Sequence, residues 1–282
     1  MKIGTSINYF SNEFGRYKDR MFYKAKELGF EYADFSMADT NTPFYEKNGI
    51  LLVEKMRNLA DDAGVVINQI HGPWRHPAKD EKEEERQERV EKMVRAIEYA
   101  HILGSKYMVI HPLMSYSSDD KGREEEFYRL NIDFMKRLTV EAKKKDITIC
   151  LENMPMMNLS ISKPENILGI IKEINDDNFK MCFDTGHVSV FEKMDVAEEI
   201  IRCGEYIKTF HIHDNKYGKD LHLVPSYGRI DWKSVREALK RISFDGVFSL
   251  EVDLPDISDD VLFEKHISLM LDTAKNIVSE TD

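Results

Sequence analysis

Cysteine is scarce: Cys150, Cys182 and Cys203 are the only three in 282 residues. They are too few and too scattered for a disulfide framework, and each stands in an apolar or helical context that suits a small buried hydrophobe. No apolar run approaches the roughly 20 residues that a membrane-spanning helix needs. Met1-Lys2-Ile3-Gly4 leads directly into strand-like sequence, so no signal peptide is expected and a cytoplasmic protein is. Basic charge is also short, with 40 Lys and Arg against 51 Asp and Glu and a formal net charge of −11. That field opposes a polyanion, which disfavours a nucleic-acid partner and suits small neutral or cation-assisted substrates. A glycine-rich phosphate loop is missing after the first strand-like run, where Asn8-Tyr9-Phe10-Ser11 stands instead. Its absence counts against a doubly wound dinucleotide-binding sheet. Linker-like and low-complexity stretches are missing too, so nothing divides the chain.

What is present is an eightfold alternation. Short β-rich runs cover Lys2 to Ile7, Tyr32 to Ser36, Val65 to His71, Tyr107 to His111, Ile147 to Glu152, Lys180 to Asp184, Ile207 to His211 and Val247 to Val252. Between them the apolar spacing turns helical, over Arg20 to Leu28, Leu51 to Ala63, Glu81 to Leu103, Arg123 to Lys145, Pro164 to Ile174, Val196 to Cys203, Trp232 to Ile242 and Val261 to Val278. Gly29, Gly64 and Gly104 fall just past helical stretches, where a left-handed cap is wanted. Ser162-Lys163-Pro164 and Asp231-Trp232 have the composition of helix starts. Runs such as Tyr107-Met108-Val109-Ile110 are apolar on both faces, as in a parallel sheet covered by helices. Eight such units predict an α/β fold, a (β/α)8 TIM barrel forming a single domain over residues 1–282. The charged run Asp80 to Glu91 is expected to be a solvated helix face.

In such a barrel the C-terminal ends of the strands share one mouth. The residues there are Gln69-Ile70-His71-Gly72-Pro73-Trp74, Ile110-His111-Pro112, Leu151-Glu152-Asn153, Phe183-Asp184-Thr185-Gly186-His187, His211-Ile212-His213-Asp214, Asp220-Leu221-His222 and Leu250-Glu251. Six of the nine histidines (His71, His111, His187, His211, His213, His222) lie at or just after a strand end, whereas His76, His101 and His266 do not. Any one of them could be an ordinary hydrogen-bonded core histidine. Six of them converging with several carboxylates point to a bound cation, because unpaired buried carboxylates are costly and a divalent ion removes that cost. Glu152, Asp184, His211 and Glu251 together offer three carboxylates and one imidazole, a set that suits Mn, Co or Mg and tolerates Zn. His71, His111, His187, Asp220 and His222 are further candidate metal ligands, or contacts to substrate hydroxyls. His213 shares the side of His211 while the strand persists and is a candidate substrate contact. Asp214 has two readings of equal weight, a carboxylate that orients a ligand histidine or a loop cap.

The ordered series His71-Gly72-Pro73, Ile110-His111-Pro112, Leu151-Glu152-Asn153, Phe183-Asp184-Thr185-Gly186-His187, His211-x-x-Asp214, Asp220-x-His222 and Leu250-Glu251 resembles the xylose-isomerase-like barrel superfamily. That superfamily holds sugar isomerases and epimerases, inosose dehydratases and endonuclease IV. The resemblance covers essentially the whole chain and implies one metal held by Glu152, Asp184, His211 and Glu251. Its sugar-epimerase branch implies that Glu152 and Glu251 are also a catalytic acid/base pair and that His187 binds a substrate oxygen. Its endonuclease branch offers counterparts of His71, His111, Glu152, Asp184, His187, His211, Asp220, His222 and Glu251 among the ligands of a three-zinc cluster. Where the superfamily commonly has a Gly-Glu-Gly ending after this Asp-x-His, the chain reads Leu223-Val224-Pro225-Ser226-Tyr227-Gly228, with Tyr227 in place of the glutamate.

The implied chemistry is proton transfer next to a carbonyl, with the cation neutralising enediolate charge and a carboxylate as base. Epimerisation, aldose–ketose isomerisation and dehydration of a β-hydroxyl are alternative outcomes of that apparatus. The expected partner is a small-molecule sugar or polyol, with no membrane, and pairing into a homo-oligomer is left open. Tyr9, Phe10, Trp74 and Tyr227 are candidate pocket aromatics, and Arg229 is a candidate contact for a substrate phosphate or carboxylate.

Overall fold

The computed structural model describes residues 1–11, 17–74, 80–115, 117 and 119–279. His76 lies outside them. The eight β-rich runs become β1 (Lys2–Ser6), β2 (Tyr32–Ser36), β3 (Val66–His71), β4 (Tyr107–Ile110), β5 (Thr148–Glu152), β6 (Phe179–Asp184), β7 (Ile207–His211) and β10 (Val247–Leu250). All pair in parallel in the order β10-β1-β2-β3-β4-β5-β6-β7. The two edge strands meet through Ile212, whose N–H donates to Ser249 O at 2.8 Å and whose carbonyl accepts from Glu251 N at 3.0 Å. The sheet is thus a nearly closed barrel whose seam runs between two histidines.

Helices separate the strands: α1 (Met21–Glu27), α2 (Gly49–Ala63), α3 (Glu83–Leu103), α4 (Glu124–Lys143), α5 (Pro164–Ile174), α6 (Thr185–Ser189), α7 (Val196–Cys203), α8 (Trp232–Arg241) and α9 (Asp260–Val278). Their termini follow local chemistry. Asp231 caps α8 by accepting from Lys233 N and Ser234 N, and Pro164 sits in the first turn of α5. Gly64 ends α2 with φ +67°, a conformation that disfavours a Cβ. Among the described residues, no helix is long and apolar enough to cross a membrane.

Strand edges differ from the sequence expectation by a residue or two, as at β10, which ends at Leu250 rather than Val252. A short helix and a hairpin near the mouth were not foreseen. The short helix α6 follows β6 directly, capped by Asp184, which accepts from His187 N at 2.7 Å. The antiparallel hairpin β8 (Asp214–Lys216) and β9 (Lys219–Leu223) follows β7. The charged run also differs in part from a solvated face. Asp80 and Arg89 are buried, with Arg89 Nη1 2.7 Å from Asp80 Oδ2, whereas Glu83, Glu84 and Glu88 are exposed.

Two irregularities decide what the mouth presents. Ala33 pairs with Ile67 and Asp34 with Gln69, so Asn68 is an extra residue in β3. Met181 pairs with Ile207 and Cys182 with Thr209, so Lys208 is an extra residue in β7. Such bulges re-aim the residues that follow them. After the second bulge, Asp184 stands opposite His211 in register.

One large apolar cluster joins helices and strands, and Val109, Cys150 and Cys182 form a small separate one. All three cysteines are free and buried, as expected. Phe210, fully buried just before His211, packs on Phe244 at 4.8 Å and Phe183 at 5.7 Å between ring centroids. Phe210→Ala is therefore expected to cost about 3–5 kcal/mol of unfolding free energy, read from urea denaturation.

Candidate metal centre

The strand ends converge as the barrel geometry demands. Glu152 ends β5, Asp184 ends β6, His211 ends β7, and Glu251 follows β10. Ligand atoms from these four all lie within 4.8 Å of one another. His211 Nδ1 is 2.9 Å from Glu152 Oε1 and 3.1 Å from Glu251 Oε2. Glu152, Asp184 and His211 are buried, while the Glu251 side chain keeps 32% exposure.

Two further donor groups adjoin this one. His71, His111 and Glu152 form the first. His71 Nε2 and His111 Nε2 lie 3.1 Å apart, and 3.4 and 3.2 Å respectively from Glu152 Oε2. That oxygen is nevertheless without a hydrogen-bond partner among the described residues. Three donor atoms facing one another at such distances, one of them an orphaned buried carboxylate oxygen, form a set that a cation would satisfy. The second further group is His187, His213, Asp220 and His222. His187 Nε2 and His222 Nε2 are each 3.5 Å from Asp220 Oδ2, and the His213 and His222 rings stack at 3.8 Å. Glu152 belongs to two of the three groups. The donors are imidazole and carboxylate throughout, which fits a divalent metal such as zinc or manganese.

The electrostatics agree with a cation-hungry site. Burial alone would raise the Glu152 pKa, but His211, His111 and His71 outweigh it and hold the carboxyl well below the usual range. Burial lowers His111 to about 4, so this ring is neutral and able to ligate. Burial also opposes protonation of His187 and His222. The charge of Asp184 on His187, and the hydrogen bond that Asp220 accepts from His222, overcome it and raise the pair to about 9 and about 10.

The loop after the hairpin is built on Asp214. Its Oδ1 accepts from the N–H of Asn215, Arg229 and Ile230 at 2.9, 3.0 and 3.2 Å. Its Oδ2 accepts from Ser226 N at 3.0 Å and Trp232 Nε1 at 2.9 Å. Of the two roles open to Asp214, the structure thus gives it the loop cap. Gly186 permits the close approach of α6 to β7: a Cβ there would lie 2.0 Å from the His213 ring.

His213 is buried, with Nε2 3.0 Å from both oxygens of Asp184. Trp74 is 41% exposed beside His111, with ring centroids 5.2 Å apart. Arg229 is directed elsewhere: its guanidinium donates to the carbonyls of Ser189, Phe191 and Glu192. Phe10 is core, packed edge-on against Phe263, whereas Tyr227 is exposed and the Tyr9 hydroxyl accepts from Val252 N.

Sequence reasoning missed several supporting residues. Asp34 lies 3.1 Å from His211 Nε2. Arg89 donates to His111 O at 2.8 Å. Asn153 accepts from Asp184 N and donates to Asp184 O, each at 2.9 Å. Asn215 Oδ1 accepts from His222 N at 3.1 Å. Asn153 stood in the Leu151-Glu152-Asn153 motif without a role, Asp34 in the middle of a strand was a readable anomaly, and Arg89 and Asn215 sit in no recognisable spacing.

Comparison with known proteins agrees with this architecture. The model of the xylose isomerase-like TIM barrel family matches residues 22–272. An uncharacterized protein of Methanocaldococcus jannaschii is 34% identical over 188 residues, 64% of this chain and 63% of that protein. A D-psicose 3-epimerase of Enterocloster bolteae is 23% identical over 259 residues, covering 89% of this chain and 82% of its own. A probable endonuclease 4 of Mycoplasmopsis agalactiae is 22% identical over 192 residues, 64% of this chain and 66% of its own. Among solved structures, a D-tagatose 3-epimerase-like protein superposes with TM-score 0.77 at 26% identity, covering 99% of this chain and 100% of that one. The IolI protein with a bound zinc atom superposes with TM-score 0.80 at 21% identity, covering 99% of each chain.

The raised histidines predict how the metal-free protein responds to pH. A histidine whose folded pKa exceeds its unfolded value of about 6.5 stabilises the fold fully below that value and loses the contribution as pH rises through the folded pKa. With His187 near 9 and His222 near 10, the chelator-treated protein is expected to melt progressively lower between pH 6.5 and 10. Scanning calorimetry in EDTA checks this, and the His187→Asn/His222→Asn double variant should flatten the slope. The match over residues 22–272, on a barrel whose strand ends gather these carboxylates and imidazoles, places the chain in the xylose isomerase-like TIM barrel family.

Proposed function

We propose that the chain is a divalent-metal-dependent isomerase or epimerase acting on a small sugar or polyol. The observation that carries this reading is the gathering of Glu152, Asp184, His211 and Glu251 around one space. A bound divalent cation supplies Lewis-acid stabilisation of negative charge developing on substrate oxygens. Glu251, whose side chain keeps 32% exposure, is the proposed base that takes a proton from a carbon next to a carbonyl. Glu152, at 1% exposure, faces the same His211 Nδ1 as Glu251 and is the proposed partner carboxylate that returns a proton. Return to the same carbon from the opposite face inverts it, and return to the neighbouring carbon interconverts aldose and ketose. Loss of a β-hydroxyl at the same stage gives dehydration, as in an inosose-type dehydratase. His187 and Trp74, near the inner groups and at the rim respectively, are the proposed substrate contacts. The near full-length likeness to a D-tagatose 3-epimerase-like structure supports the sugar assignment.

A second reading is a metal phosphodiesterase of the endonuclease IV kind acting on abasic DNA. It is favoured by the three contiguous donor groups, which could hold several ions with Glu152 shared. The net charge of −11 opposes it.

Elemental analysis of the purified protein, paired with a screen of ketoses, inososes and abasic-site DNA, separates the two. One ion per chain with turnover of a ketose is the expected result. Several zincs with strand cleavage at abasic sites would replace it with the second reading. On the sugar found, Glu152→Gln and Glu251→Gln are each expected to lower kcat by about 10²- to 10⁴-fold. Wild-type turnover by either variant would refute the acid/base assignment.

A further inference from the structure

His211 is held from both sides. Its Nδ1 faces Glu152 and Glu251, while its Nε2 lies 3.1 Å from Asp34 Oδ2. Asp34 belongs to none of the three donor groups. It sits in the middle of β2, 5% exposed, on the inner side of the barrel. The same Oδ2 accepts a hydrogen bond from Gln69 Nε2 at 2.8 Å, and Gln69 Nε2 is also 3.3 Å from Phe210 O. Asn68 Nδ2 in turn donates to Gln69 Oε1 at 3.1 Å. The extra residue in β3 is what sets Gln69 opposite Asp34 in register. Asp34 Oδ1 is buried without a hydrogen-bond partner among the described residues, so the contacts to Gln69 and His211 both fall on Oδ2.

An ionised carboxylate only accepts hydrogen bonds. Facing Nε2, it keeps the proton on that nitrogen and leaves the Nδ1 lone pair for a metal. The Gln69 amide prevents Asp34 from swinging away, and the Asp34 bond prevents the His211 ring from flipping. Carboxylates in this position orient ligand histidines and strengthen them as donors.

We propose that Asp34, braced by Gln69, is the positioning residue that makes Nδ1 the metal-binding nitrogen of His211. The proposal rests on the reading of His211 as a metal ligand and adds which atom binds and what fixes it. Asp34 acts through His211 and does not touch substrate.

The test is a zinc titration of the full chain against a chromophoric chelator. Glu251 occurs in one donor group only, so the uptake step that Glu251→Gln weakens identifies the ion beside His211. Asp34→Asn, whose amide can donate to Nε2 and so favour the wrong tautomer, is expected to weaken that same step about 10- to 100-fold. Other zinc uptake should stay unchanged, and the metal-free melting temperature should move by only a few degrees. Zinc affinity at that step within about twofold of wild type, or a uniform loss at all steps that tracks a lower melting temperature, would overturn the proposal. Histidine-selective ¹⁵N NMR of the zinc-loaded wild-type protein supplies a readout that needs no Asp34 variant, with His211 resonances assigned by His211→Gln. A proton on Nε2 and zinc on Nδ1 is expected; the reverse arrangement would overturn it. A wild-type chain with no Glu251-sensitive zinc step would instead bring down the metal reading itself, and this proposal with it.

Discussion

A carboxylate with 1% exposure stays ionised only if positive charge lies beside it, and Glu152 is such a carboxylate. Three histidines at the barrel mouth answer that demand. His71 and His111 approach one of its oxygens, and His211 approaches the other. Asp184 repeats the problem one strand on, with His213 and His187 as its neighbours. Imidazoles compensate these carboxylates only while protonated, and burial opposes protonation. A divalent ion compensates them while leaving the rings neutral. The mouth is therefore a region where folding and metal binding draw on the same electrostatics.

The scaffold supplies precision from ordinary irregularities. One extra residue in β3 brings Gln69 against Asp34, and one in β7 brings His211 opposite Asp184. Ile212 closes the sheet by bonding Ser249 and Glu251, which ties His211, His213 and Glu251 to one seam. Asp214 then fastens the following loop with bonds to four backbone N–H groups and the Trp232 indole, and Asn215 anchors the His222 backbone. Outside the mouth, Arg89 reaches through its pairing with Asp80 to the carbonyl of His111. The candidate ligand side chains are thus positioned by neighbours outside the donor groups.

Much of this was legible in the sequence, because barrel strands are short apolar runs and their ends are marked by residues that do not belong in a core. Glu152, Asp184, His211 and Glu251 stood out for that reason, and so did the histidines of the two neighbouring groups. The hairpin of β8 and β9 was not legible: Asp214-Asn215-Lys216 and the polar start of β9 lack the apolar alternation that announces strands. Helix α6 was hidden inside a motif read as a strand end, although Asp184 before it is a good cap. Arg229 was a candidate contact for a substrate phosphate or carboxylate, yet its guanidinium meets three backbone carbonyls. Burial of Arg89 within an acidic helix, and the pairing of Asp34 with His211, depend on contacts far apart in sequence that no local pattern encodes.

Family membership and site geometry together narrow the chemistry. The proposed proton transfer beside a carbonyl draws on the carboxylates of this arrangement, which the two histidine groups adjoin. The central claim is spatial: Glu152, Asp184, His211 and Glu251 share one cation. The direct measurement is an anomalous difference map from crystals of the protein soaked in manganese or zinc. A peak at about 2.0–2.2 Å from one ligand atom of each of the four residues is the expected result. A map with no peak there, or with metal only on surface carboxylates, would contradict the claim.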